Sequence, residues 1–402
     1  MIKYSSPKNT NYNNIIIKKI KNIILSGKIN YWSGKEGLLF EKEFSKYHGN
    51  KYSIAVSNGS VALEIALQAL KLKKRDKVIV TPRSFIISAS CVLNVGLKPI
   101  FADVDLNGNV NIEGIRKAYE PGVKAIIVVH LNGLSCDLDP ILQFAKEKKL
   151  YLIEDCSQAH GAIYKSKKVG SFGDIAIWSF CQNKIISTGG EGGMISTNSK
   201  KLWLKCWSIK DHGKNYNSVF YKKHKTGFRW LHDNLGSNYR MTEMQTAIGR
   251  VQLKTLDNQL KIRNAIANIY LNELKDYYQK YHLLQKPDFK CQTCPFKKNE
   301  KKCNKCLHAF YRLDLFINKN KIQQIKLIEQ FNKNKISCSA GSCPEIYREK
   351  IFKKLKFYPK ERLTNAKLLG KTSIMFPIDP GRSMIKVKTE INSIKKILNK
   401  YL

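Results

Sequence analysis

Between residues 52 and 197, short β-branched apolar runs alternate with stretches of helical periodicity, and this constrains the fold more than any other feature of the chain. The runs are YSIAV (52–56), KVIVT (77–81), KPIFA (98–102), KAIIVV (124–129), LYLIED (150–155), DIAIWS (174–179) and GGMIST (192–197). The early ones are apolar almost throughout, as strands covered on both faces must be. Segments such as VALEIALQALK and LDPILQFAKEKK lie between them with helical spacing. Strand and helix in alternation predict an α/β fold, a mostly parallel sheet flanked by helices. Ligands of such sheets gather beyond the carboxyl ends of the strands.

Past this region, KDHGKNYNSVFYKKHKTGFRWLHDNLGSN (210–238) reads as a long polar-aromatic loop without a regular element, and its length points to function. MTEMQTAIGRVQLKTLDNQLKIRNAIANIYLNELKDYYQKY (241–281) predicts two helices bridging into a second domain. The expected division is a large domain over 1–255 with an N-terminal segment, and a small α+β domain over 256–402. There is no internal repeat.

Composition narrows the function classes. The N-terminus lacks an apolar signal core, and no run approaches the ~18 apolar residues of a membrane span. The expected location is the cytoplasm. A net charge of +40 usually suggests nucleic acid, but the 71 Lys and Arg residues are spread along the whole chain. No basic block is interleaved with aromatics as single-strand binders require, so no nucleic-acid partner is expected. A positive field also attracts phosphorylated substrates. Eleven cysteines without a secretory signal point to thiols or metal ligands.

Three constellations carry chemistry. In SNGSVALEIALQAL, Ser57 or Asn58 can cap a helix, and Gly59 lets the backbone bend closely. The free N–H groups at such a start can bind phosphate. No GK[ST] ending or GxGxxG accompanies it. In IEDCSQAHGA, Glu154 and Asp155 end a strand, where a carboxylate serves catalysis, ligand binding or helix capping; His160, in the turn, reads as a packing residue. In SFCQNKIISTGGEGGM, Lys184 follows a strand and precedes a glycine turn. A lysine losing solvent in such a corner becomes a neutral amine and a nucleophile, whereas on the surface it is an ordinary charge.

Together these residues resemble the DegT/DnrJ/EryC1/StrS family of sugar aminotransferases, which use pyridoxal 5′-phosphate. The resemblance runs from YWSGKEGLLFEKEF (31–44) to GSNYRMTEMQTAIGRVQL (236–253) and, with gaps, through HAFYRLDLFI, GSCPEIYREK and LLGKTSIMFP. It implies the aminotransferase type I fold: a seven-stranded, mainly parallel sheet domain with a smaller C-terminal domain. It also implies that Lys184 forms the Schiff base with the cofactor aldehyde and then serves as general acid/base, and that Asp155 pairs with the pyridine nitrogen. Gln158 would lie beside the ring oxygen, Phe85 would stack on the ring, and Gly59, Ser60 and Ser179 would cradle the phosphate. Asn238 would reach the phosphate from the neighbouring subunit, implying a homodimer with shared active sites. The implied reaction transfers an amino group from a donor, glutamate being expected, to a nucleotide-linked keto-deoxysugar for surface polysaccharide or glycoconjugate synthesis. His212, Arg229 and Trp230 are candidates for sugar-nucleotide contacts.

The chain departs from the family pattern in two places. Relatives carry His-Pro-Thr near the C-terminus where this chain reads IDPGRS (378–383). CQTCPFKKNEKKCNKC is an insertion at 291–306 whose Cys291, Cys294, Cys303 and Cys306 could hold a structural Zn²⁺ or be four free thiols. An alternative activity is 3-dehydration of a nucleotide sugar, but dehydratases of this family typically replace the Schiff-base lysine with histidine. A third reading is a basic zinc-binding regulator on an inactive enzyme fold.

Overall fold

A computed structural model describes residues 10–285, 306–318 and 322–402. The large sheet is built from β1 (Tyr52–Val56), β2 (Lys77–Val80), β3 (Lys98–Phe101), β4 (Val123–Val129) and β5 (Tyr151–Asp155). A hairpin of β6 (Ile163–Tyr164) and β7 (Lys167–Lys168) intervenes before β8 (Ile175–Ser179) and β9 (Gly193–Thr197) complete it. The order is β1-β9-β8-β5-β4-β2-β3. β2, β3, β4, β5 and β8 pair in parallel, and β9 runs antiparallel to both its neighbours. The seven sequence-predicted strands therefore form one sheet, with ends shifted by about a residue, as expected where ladders fray.

Both faces of this sheet are covered, which explains the nearly unbroken apolar runs. Ile126, Val128, Leu152 and Trp178 enter one core with Phe40 and Phe44. Their alternates Ile127, Ile153 and Ile177 enter the other, with Leu63 and Leu67 of the helix Gly59–Ala69. Each fully buried side chain of this size contributes roughly 1.5–3 kcal/mol of transfer free energy, so a shift of register is strongly opposed.

The second, smaller sheet is antiparallel, in the order β10 (Leu284–Gln285), β11 (Arg312–Ile317), β12 (Ser373–Pro377). Its core contains Leu313, Leu315, Ile374 and Phe376, covered by Val387, Ile391 and Ile394 of the helix Met384–Leu398. The predicted helical tract begins with the 31-residue helix Glu243–Glu273, followed by the short Lys275–Gln279. A capping box starts the long helix, with Thr242 Oγ1 accepting from the Gln245 N–H and the Gln245 side chain accepting from the Thr242 N–H. Leu253, Leu256 and Leu260 of this helix pack in the large core, and Ile266, Ala267, Tyr270 and Leu271 in the small one.

The stretch 210–238 differs from the expectation of a loop without a regular element. It contains the helix Tyr216–Phe220, capped by the Asn215 side chain accepting from the Ser218 N–H at 2.9 Å. Packing explains it: Tyr216 and Phe220 meet Trp207 with ring centroids 4.9 and 5.8 Å away, and Phe220 stacks on Trp32 at 5.9 Å. No helix among the described residues is long and apolar enough to cross a membrane.

Candidate active site

The carboxyl ends of β1, β2, β4, β5 and β8 share one edge of the large sheet, and a cavity of roughly 800 Å³ opens there against the small sheet. Its walls include Gly59, Ser60, Phe85, Asp155, Gln158, Ser179 and Lys184. These residues come from four separate chain segments, and the sheet brings them together.

The helix Gly59–Ala69 begins at this edge, capped by Asn58 Oδ1, which accepts from the Val61 N–H at 2.9 Å. The Gly59 N–H stands in the first turn, where the helix ladder provides no partner. Position 59 cannot carry a side chain without a shift, because a Cβ there would lie 2.7 Å from Ser179 Cβ and 3.1 Å from Ser179 Cα. The close approach of helix start and strand end makes a cradle for an anion, with the helix dipole favouring negative charge.

Asp155 ends β5 and is 4% exposed. Ser88 Oγ donates to its Oδ2 at 3.4 Å and the Ser157 N–H to its Oδ1 at 3.0 Å. Glu154, one residue earlier, faces the opposite side of the sheet. It is fully buried and accepts from the N–H groups of Gly170 (2.7 Å), Phe172 (2.8 Å) and Gly173 (2.6 Å), with His130 Nε2 at 3.1 Å. Burial pushes this carboxyl up, but His130 and the backbone donors outweigh it and hold Glu154 below the ordinary carboxylate value. Of the two strand-end carboxylates, only Asp155 borders the cavity.

Lys184 is half-buried, with Nζ 5.3 Å from the centroid of the Tyr311 ring. It follows β8 in a corner closed by backbone bonds from Phe180 N–H to Gly192 O (2.8 Å) and from Gln182 N–H to Gly190 O (2.9 Å). Gly189 and Gly190 of this turn take φ of 84° and 121°, which glycine adopts without strain. Gln158 accepts the Asn132 N–H on its Oε1 at 2.8 Å, leaving its NH₂ end to donate. Phe85 is 68% exposed, an unusual setting for a phenyl ring, and lies on the cavity wall. His160 is the packing residue expected: it is fully buried, its ring lies 5.7 Å from Phe180, and burial lowers its pKa well below the ordinary value.

The remaining sequence candidates lie elsewhere. His212, Arg229, Trp230 and Asn238 are exposed and do not line the cavity of their own chain. Asn238 is bridged to Asp211 on the rim of the 210–238 stretch. Cys291, Cys294 and Cys303 lie outside the described residues. Cys306 is half-buried, and its Sγ accepts from the Lys165 N–H at 3.4 Å.

Tyr311 and Arg312 also line the cavity, whereas the sequence marks HAFYRLDLFI only as a strand and a segment of resemblance. A signal was present. Arg312 and Asp314 are charges two apart in an otherwise apolar strand and so share a face, where burial would demand partners.

A model of the DegT/DnrJ/EryC1/StrS aminotransferase family matches residues 11–395. The chain belongs to this family. Within it, the chain is 33% identical to an uncharacterized protein of Methanocaldococcus jannaschii, over 91% of each. It is 39% identical to GDP-perosamine synthase of Escherichia coli O157:H7, over 60% of this chain and 63% of that protein. Among solved structures, the aminotransferase from Psychrobacter cryohalolentis matches with a TM-score of 0.91 and 40% identity, covering 96% of this chain and 97% of that one.

Proposed function

We propose that this protein is a pyridoxal 5′-phosphate-dependent aminotransferase that aminates a nucleotide-linked keto sugar, with glutamate as donor. The observation that carries the reading is one cavity holding an amine, Lys184, together with a buried carboxylate, Asp155, and a glycine-opened helix start at Gly59. This set suits the cofactor's groups: the helix start its phosphate, Asp155 its ring nitrogen, Gln158 its ring oxygen, Phe85 its ring face and Lys184 its aldehyde. When bound, the cofactor supplies an electron sink for the substrate carbon at which the amino group is exchanged.

The chain's own residues divide the work. Asp155, held by Ser88 and the Ser157 N–H, keeps a proton on the ring nitrogen by charge pairing. Lys184 moves a proton to or from the substrate carbon as general acid and base. The N–H groups of Gly59 and Ser60 and the Ser179 hydroxyl fix the phosphate and so the orientation of everything attached to it. Lysine at 184 supports amino transfer over 3-dehydration.

Two further parts belong to this reading. The active sites are shared across a homodimer, with Asn238 and the exposed His212, Arg229 and Trp230 serving the cavity of the neighbouring subunit. Their exposure, and their absence from the lining of their own cavity, support this arrangement. Cys291, Cys294, Cys303 and Cys306 hold a structural zinc, a reading supported by the CxxC-x8-CxxC spacing.

The test is a mass assay of the purified protein with pyridoxal 5′-phosphate, glutamate and a panel of UDP-, GDP- and dTDP-linked keto sugars. The expected result is one aminated sugar with matching 2-oxoglutarate. No amination across a panel covering all three nucleotides and both 3- and 4-keto positions would refute it.

A further inference from the structure

Gln158 reaches the cavity through a buried chain of contacts that begins on the small sheet. Asp314 of β11 accepts from Asn132 Nδ2 at 2.7 Å on its Oδ2, and Arg83 Nη2 lies 3.5 Å from the same oxygen. Asn132 then donates its own N–H to Gln158 Oε1 at 2.8 Å. All four residues are at least 92% buried.

The backbone around them is built for these contacts. Asn132 sits in the left-handed region at φ 54°, ψ 11°, which asparagine tolerates better than most residues. Next to it, Gly133 lies so close to β11's approach that a Cβ would meet the Phe310 nitrogen at 2.9 Å. The Arg83 guanidinium occupies a slot between two glycines: a Cβ on Gly108 would lie 2.9 Å from Nε, and one on Gly341 3.3 Å from Nη2. Arg83 Nε and Nη1 and Asp314 Oδ1 have no hydrogen-bond partner among the described residues. Asp314 is the one carboxylate paired with the buried Arg83 among those residues, while Asn132 and Arg312 also favour the charge on Asp314.

We propose that Arg83, Asp314 and Asn132 form a positioning relay that holds the Gln158 amide toward the cofactor and makes cofactor affinity depend on the seating of the small sheet. This rests on the cofactor assignment given above. The relay acts through two links. The Arg83–Asp314 pair fixes the carboxylate, and the carboxylate fixes the Asn132 turn whose N–H orients Gln158. With the Gln158 oxygen occupied in this way, its NH₂ end is the one available to the cofactor's ring oxygen. None of the three relay residues lines the cavity, and Gln158 is the cavity residue to which their chain of hydrogen bonds leads.

Two variants separate positioning from stability. Asn132→Gly keeps the left-handed backbone and its N–H while removing the link to Asp314. Arg83→Met with Asp314→Leu removes the ion pair without leaving either charge buried alone. Cofactor affinity is read by quenching of tryptophan fluorescence on titrating pyridoxal 5′-phosphate into the cofactor-free protein, with the visible spectrum of the loaded protein and thermal melting alongside. Both variants should melt cooperatively, bind the cofactor roughly tenfold more weakly and shift the visible band. The combined triple variant should bind no more weakly than the worse of the two, since both break one chain. Parental affinity and spectrum in a folded Asn132→Gly protein would overturn the relay while leaving the aminotransferase reading intact, as would fully additive losses. A parent protein that does not bind the cofactor would overturn both.

Discussion

Glu154 and Asp155 are consecutive residues of β5 that face opposite sides of the large sheet, one tied to a loop backbone and the other bordering the cavity. Their substitutions should therefore fail in different ways. Glu154→Ala strands the buried Gly170 N–H, the part-buried N–H groups of Phe172 and Gly173 and the buried His130, and should cost about 3 kcal/mol or more in denaturant unfolding. Asp155→Asn should unfold near the parental midpoint yet lose at least ~100-fold in kcat.

Glu154 also sets an acid limit. Its folded-state pKa lies below the ordinary glutamate value of ~4.3, so the unfolded chain binds the proton first as pH falls. The stability it contributes is complete above ~4.3 and is lost as pH drops through the lower folded value. Urea midpoints measured from pH 7 to pH 3 should fall steeply at the acid end, and Glu154→Gln should flatten that fall.

Lys184 is half-buried, and its Nζ lies 5.3 Å from the Tyr311 ring centroid with no hydrogen bond or ion pair among the described residues, so little stability depends on it. Lys184→Ala should change the unfolding free energy by less than about 1 kcal/mol while reducing turnover by ~1000-fold or more. The cofactor-loaded variant should also lack the visible absorbance of the parent. A spectrum identical to the parent's would remove Lys184 from its proposed role.

The proposed sharing of active sites across a homodimer makes a complementation prediction. Lys184→Ala and Asn238→Ala should each be impaired alone. Mixed and allowed to reassociate, half of the dimers become heterodimers with one intact site each, restoring about a quarter of parental activity. Sites confined to single subunits would show no recovery on mixing.

If the four cysteines hold zinc, the purified protein should contain about one equivalent, and Cys291→Ser or Cys303→Ser should each lose most of it. Elemental analysis decides the matter, and unchanged metal content in both variants would rule the site out.

The strands were legible because a doubly covered sheet demands almost continuous apolar runs, and IAIWS or AIIVV satisfies no other arrangement so well. Strand-end position alone leaves Lys184 an ordinary charge and Asp155 a helix cap; the family resemblance singles them out in the sequence, and the fold brings both to the cavity wall. The Tyr216–Phe220 helix was hidden because its stability comes from Trp207 and Trp32, one far back in the sequence, and not from its own five residues. Arg83, Asn132 and Asp314 were hidden for the same reason. Asp314 stands 231 positions from Arg83 and 182 from Asn132, so only the folded chain reveals the partnership.

The helix Glu243–Glu273 joins one core of the large sheet to the core of the small sheet through side chains on a single uninterrupted rod. Cleavage anywhere near its middle would therefore expose greasy surface in two places at once, and neither fragment would be self-sufficient. It also means the small sheet has no slack tether on this side. The rod acts as a strut between the two packed layers it joins.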